Sequence, residues 1–107
     1  MYKFELKQGG IVEGREIKFF QNDFYEIEVN RNFVRIAKLD WNDRYLPDLS
    51  IIKKSFKDKL YSEVTIQTAS YGSLNVEGIN KIIDGLHVAK ESVKEAKKLL
   101  KELNLME

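Results

Sequence analysis

Eighteen basic side chains, seventeen carboxylates, five tyrosines and one histidine are the titratable groups with which this 107-residue chain could act on another molecule. Cysteine is absent, which removes thiolate nucleophiles, iron–sulfur clusters, thiolate-bound zinc and disulfides together. The usual catalytic metal sites ask for two or three histidines, and His87 stands alone. A Ser–His–Asp triad is conceivable on paper, but no Gly-x-Ser-x-Gly elbow occurs and His87 falls inside a strongly helical stretch. No carboxylate lies in an apolar run that would tune it for acid–base work. The chain therefore reads as a non-enzyme without cofactor or metal.

Three constellations are suited to binding. Trp41, Arg44 and Tyr45 share the irregular stretch DWNDRYLPDL, and these three residue types are the ones enriched at binding hot spots. The competing reading has Trp41 plugging an open end of a sheet and Arg44 pairing with Asp40 or Asp43. The stretch is no calcium loop, because Asp40-x-Asn42 lacks the third ligand and glycine that an EF-hand requires. Lys53, Lys54, Lys57 and Lys59 form a basic cluster, with Phe56 and Tyr61 close by. Such a set could grip phosphate or single-stranded nucleic acid by charge and stacking, or simply be a solvated hairpin tip. Ser70-Tyr71-Gly72-Ser73, ahead of a helix N-terminus, could seat an anion, though it lacks the Gly-Lys-Ser/Thr of a P-loop.

The elements that position these groups follow from periodicity. Tyr2, Phe4 and Leu6 alternate with charged residues, as a half-buried strand does. Gly9-Gly10 supplies the positive φ angles of a tight hairpin turn. A second strand is expected over about 11–20, with Gly14 as a bulge. Tyr25, Ile27 and Val29 mark a third strand, and residues 33–39 a fourth. Two further strands are expected near 49–54 and 61–69, with a short helix as the alternative for 49–60. Asn75 is a good helix N-cap, and the sequence from there to about Asn104 reads as one long helix. The predicted architecture is α+β: a single domain of five to six antiparallel strands packed against one C-terminal helix.

Along that helix Ile79, Ile82, Leu86, Ala89, Val93, Ala96, Leu100 and Leu103 recur at alternating steps of three and four. At ~1.5 Å per residue such a rod outruns the ~20 Å of a typical strand. Either it lies diagonally across a large twisted sheet, or its distal half overhangs and pairs with a second copy. In the second case Val93, Ala96, Leu100 and Leu103 are the self-association residues of an antiparallel homodimer.

At Ile66-Gln67-Thr68-Ala69-Ser70-Tyr71-Gly72-Ser73-Leu74, followed by the amphipathic helix, the chain resembles small uncharacterised proteins of phages and prophages of Gram-positive bacteria. There an IQT-x-SYG-x-L strand end leads into a C-terminal helix. Acidic residues commonly follow that motif, whereas Val76-Glu77-Gly78 offers one. The resemblance implies an intracellular accessory protein that binds or inhibits a host protein, and it carries no catalytic residue.

Net charge is +1, against the clear basic excess usual in proteins that neutralise phosphates. No apolar run approaches the ~20 residues of a membrane helix, and the opening MYKFELKQ is not a signal peptide's apolar segment. The expectation is a cytoplasmic, non-catalytic protein that binds another protein through Trp41, Arg44 and Tyr45. The alternative is a nucleic-acid or nucleotide module using Lys53, Lys54, Lys57, Lys59 and the helix N-terminus.

Overall fold

The computed structural model describes residues 2–30, 33–40, 43–51, 64–67 and 74–104. Six strands precede one helix: β1 (Glu5–Val12), β2 (Arg15–Gln21), β3 (Tyr25–Asn30), β4 (Val34–Lys38), β5 (Asp48–Ile51), β6 (Val64–Gln67) and α1 (Val76–Glu102). β1 to β4 form an antiparallel meander in that spatial order, and β5 pairs with β6 in a second, two-stranded sheet. This is the α+β arrangement that the periodicity predicts.

Alternation fixes which face of the meander is inside. Tyr25, Ile27 and Val29 of β3 are buried, and Glu26 and Glu28 point the other way. The register sets Phe20, Ile27 and Ile36 abreast across three strands, and Val29 opposite Val34. These side chains make up the sheet's share of the core, joined by Leu46 and Leu49 and by Ala89, Ala96 and Leu100 of the helix. On the outer face the cross-strand pairs are polar: Arg35 bonds Glu28 at 2.7 Å, and the Gln21 amide donates to Glu26 at 2.7 Å.

The first hairpin turns at Glu13-Gly14, not at Gly9-Gly10 as expected. Both turn residues have positive φ, 51° and 75°, the signature of a primed two-residue turn. The cause is register. The pairs from Gln8 opposite Phe19 to Val12 opposite Arg15 put the hairpin midpoint between residues 13 and 14. Gly9 and Gly10 lie instead within β1, opposite Lys18 and Ile17, just beyond an irregularity between Leu6 and Gln8. β1 is an edge strand exposed along its whole length, so its alternation buries nothing. Tyr2 and Phe4, ahead of it, are half-buried, with Tyr2 edge-on to Phe24 at 5.3 Å.

α1 starts where the N-cap signal sits: the Asn75 side chain accepts from the Gly78 amide at 2.8 Å. It ends at Glu102 with Leu103 as its cap, and Asn104 just beyond, at φ 56°, takes the left-handed conformation that asparagine tolerates. Its buried residues are Gly78, Gly85, Ala89, Ser92, Ala96 and Leu100.

That row corrects the expected self-association surface. Ala96 and Leu100 are each 1% exposed, and Val93 and Leu103 pack against the same core. The distal half of α1 lies on its own sheet and does not overhang. It is the proximal half that leaves aliphatic side chains outside, with Ile79 and Ile83 46% exposed and Leu86 39%. The reason is the close approach of the Tyr45 backbone to Gly85. The helix turns its glycines inward, and that rotation carries the proximal aliphatics out.

Candidate functional site

The segment 43–47, between β4 and β5, is fastened to the sheet by Lys38 and Tyr25 and seated on the helix at Gly85. Its backbone is folded by short-range bonds: Asp43 N–H to the Asp40 carbonyl at 3.3 Å, Leu46 N–H to the Asp43 carbonyl at 3.2 Å, and Tyr45 N–H to the Asp43 carboxylate at 3.0 Å. Lys38, the last residue of β4, bridges it from below. Its ammonium donates to the carbonyls of Asp43 at 3.4 Å and Leu46 at 3.2 Å, and pairs with Asp48 at 3.1 Å. Only 13% of the Lys38 side chain is exposed, so its charge is held by these oxygens and little by water.

Tyr25 is the second fastener. It is fully buried, and its hydroxyl donates to the Pro47 carbonyl at 2.8 Å. Burial, aided by the carboxylates of Asp48 and Asp43, pushes its hydroxyl well above the ordinary value of 10. The group therefore stays a neutral donor, as that hydrogen bond requires.

Gly78 and Gly85, seven residues apart on α1, complete the seat. A Cβ at Gly85 would fall onto the Tyr45 carbonyl oxygen and within 3.4 Å of the Pro47 ring. At Gly78 the Tyr45 hydroxyl would be 3.7 Å away. At Gly85 only glycine lets the loop backbone come so near the helix.

On this platform Arg44 is exposed and Tyr45 half-buried. The Tyr45 ring has Arg44 5.2 Å and Lys81 5.4 Å from its centroid, within cation–π range. Arg44 also donates to the Tyr45 hydroxyl at 3.1 Å, and Lys81 pairs with Glu77 at 3.7 Å. Beside the ring, a groove of about 360 Å³ runs between loop and helix, floored by Phe24, Leu46 and Val88 and edged by Asp43, Lys81 and Asp84. A second depression of about 380 Å³ lies on the first hairpin over Gly9, Gly10 and Ile11. Its charged members, Glu16 and Lys18, already pair with each other at 3.5 Å.

The structure thus brings Arg44 and Tyr45 together on a fixed loop. Trp41 lies outside the described residues, as do Lys53, Lys54, Lys57 and Lys59 and the segment 70–73. His87 is exposed on α1. Among the described residues there is no group of three His, Cys, Asp or Glu side chains arranged to hold a metal, and no helix long and apolar enough to cross a membrane.

Sequence reasoning missed Lys38, Tyr25, Gly78 and Gly85. Gly85 carried a signal, since a glycine costs a helix interior ~1 kcal/mol relative to alanine and such a cost marks a close approach. Lys38 and Tyr25 carried none, because they read as ordinary members of alternating strands. No protein-family model matches the chain, and neither a curated protein nor a solved structure matches it.

Proposed function

We propose that the chain is a non-catalytic binding protein that recognises another protein through the Arg44–Tyr45 corner of the 43–47 loop. The observation that carries this reading is the fastening of the loop: Lys38, Tyr25 and Gly85 all act on its backbone and leave Arg44 facing outward. A loop held this way loses little entropy when it binds, so its aromatic and guanidinium groups can serve as anchors. The groove beside Tyr45 adds an apolar floor with charged edges, suited to a side chain that is greasy along its stem and polar at its tip.

The resemblance of the 66–74 motif to phage and prophage proteins, together with the absence of cysteine, supports a finer version. In it the chain is an accessory protein that acts in the cytoplasm on a protein of a bacterial host.

The test is affinity capture from host-cell lysate with the wild type and Arg44→Ala, followed by a binding titration with the purified captured protein. One protein captured stoichiometrically, with Kd weakened about thirtyfold (~2 kcal/mol) by Arg44→Ala, is the expected result. Capture that ignores Arg44, or that yields nucleic acid lost at moderate salt, overturns it.

A further inference from the structure

Along α1 one straight row of side chains changes character halfway. Val76, Ile79, Ile83 and Leu86 are continued, at the same steps of three and four, by Lys90, Lys94, Lys97 and Lys101. At about 100° per residue all eight fall in one strip of the helix surface, roughly a third of a turn from the buried row of Gly78, Gly85, Ala89 and Ala96. Val76 is 74% exposed, Ile79 and Ile83 are 46% and Leu86 is 39%. Lys90, Lys94 and Lys101 are exposed as well, and Lys97 is half-exposed. No carboxylate stands within the strip. Glu91, paired with Lys94 at 3.5 Å, lies on its flank.

We propose that this strip is the docking surface for a helix of a second protein, one with apolar side chains along one half and carboxylates along the other. The proposal rests on the reading of the chain as a protein-binding module and supplies the chemistry of the partner. Charge and geometry select that occupant. In a parallel pair, a second copy of this chain would set lysine against lysine. An antiparallel pair matches Val76 with Leu86 and Ile79 with Ile83 but leaves four lysines unopposed. Those four apolar side chains also fall well short of the roughly 800 Å² per partner of a standard interface.

A lipid surface fits poorly. Helices that lie in a membrane interface carry apolar and basic residues on opposite faces, and here they follow one another along the same strip. Duplex nucleic acid would engage the lysines by their charge and leave the apolar half in water. An acidic, half-apolar helix uses the whole ~37 Å of the strip. Its apolar half supplies affinity by burial, and its carboxylates fix the alignment and speed encounter.

The probes are labelled synthetic helices of about seven turns. They carry leucine at the seam positions of one half and either glutamate or lysine at those of the other, each made with the apolar half first or last. Fluorescence anisotropy with the intact protein reads their binding. In one of the two orientations the glutamate helix binds at least about tenfold tighter than the lysine helix, and a Lys90→Glu/Lys97→Glu variant reverses that preference. Equal binding of both helices, or failure of the reversal in a folded variant, overturns the proposal. So does self-association that Ile83→Asp abolishes, which would assign the strip to a second copy. Unfolding by Ile83→Asp would assign it to the chain's own core, with the same consequence. Failure here with Arg44-dependent capture intact removes this surface alone and leaves the loop as the binding site.

Discussion

The carbonyl oxygen of Tyr45 occupies the space in which a Cβ on Gly85 would stand. The loop that carries Arg44 is thereby seated against helix backbone, and the orientation of α1 is set by the need to present that glycine.

Gly85→Ala should lower stability although alanine is the better helix former. The propensity gain of ~1 kcal/mol is outweighed by displacement of the 43–47 backbone, giving a net loss of about 1–3 kcal/mol in denaturant melts. Gly78→Ala is the control. Its nearest neighbours are side-chain atoms of Leu74 at 3.3 Å and Asn75 at 3.4 Å, and its effect should stay within about 1 kcal/mol.

Tyr25→Phe should cost about 1–2 kcal/mol, because the buried Pro47 carbonyl loses its donor. The hydroxyl's raised folded-state value also sets a pH dependence. The unfolded chain gives up this proton near pH 10 and the native protein only above that, so the contribution is complete below about pH 10 and declines as pH rises beyond it. Chemical denaturation from pH 8 to 11 should show a decline in the wild type that is shallower in Tyr25→Phe.

Lys38→Met keeps the stem of the side chain and deletes the ammonium that holds Asp43, Leu46 and Asp48. Loss of these charge-assisted bonds should cost about 1–3 kcal/mol. Hydrogen exchange at the Tyr45 and Leu46 amides should quicken more than at the Ile27 amide in the sheet. Uniform quickening would show that Lys38 supports the whole fold and does not act locally on the loop.

Ala96→Glu should unfold the monomer and not merely separate a dimer. Position 96 is 1% exposed against the chain's own core, and a carboxylate there has neither water nor a partner. Circular dichroism should show the native signal lost at room temperature. A folded monomer in its place would contradict the packing of α1 on the sheet.

Much of the architecture follows from local pattern. The alternation of Tyr25, Ile27 and Val29 defines β3 and its inward face, because the side-chain period of a strand is two. Asn75 starts the helix and the left-handed Asn104 lies just beyond its end, since capping depends on the residue at the boundary and its immediate neighbours. Arg44 and Tyr45 could be picked out by residue type and by their place in a broken periodicity.

Tertiary structure decided the rest. Gly9-Gly10 is as good a turn as Glu13-Gly14 by itself; the register of β1 against β2, from Gln8 opposite Phe19 to Val12 opposite Arg15, chose the second. The hydrophobic seam on α1 admits several rotations about the helix axis, because its apolar residues spread over a wide arc. The approach of the Tyr45 backbone to Gly85 fixed one of them, burying Ala96 and Leu100 and turning Ile79, Ile83 and Leu86 outward. Lys38 and Tyr25 became loop fasteners through residues 5 to 22 positions away in the chain. Residue type and spacing encode what a segment can form, but which of its faces meets a neighbour depends on where the rest of the chain comes to lie.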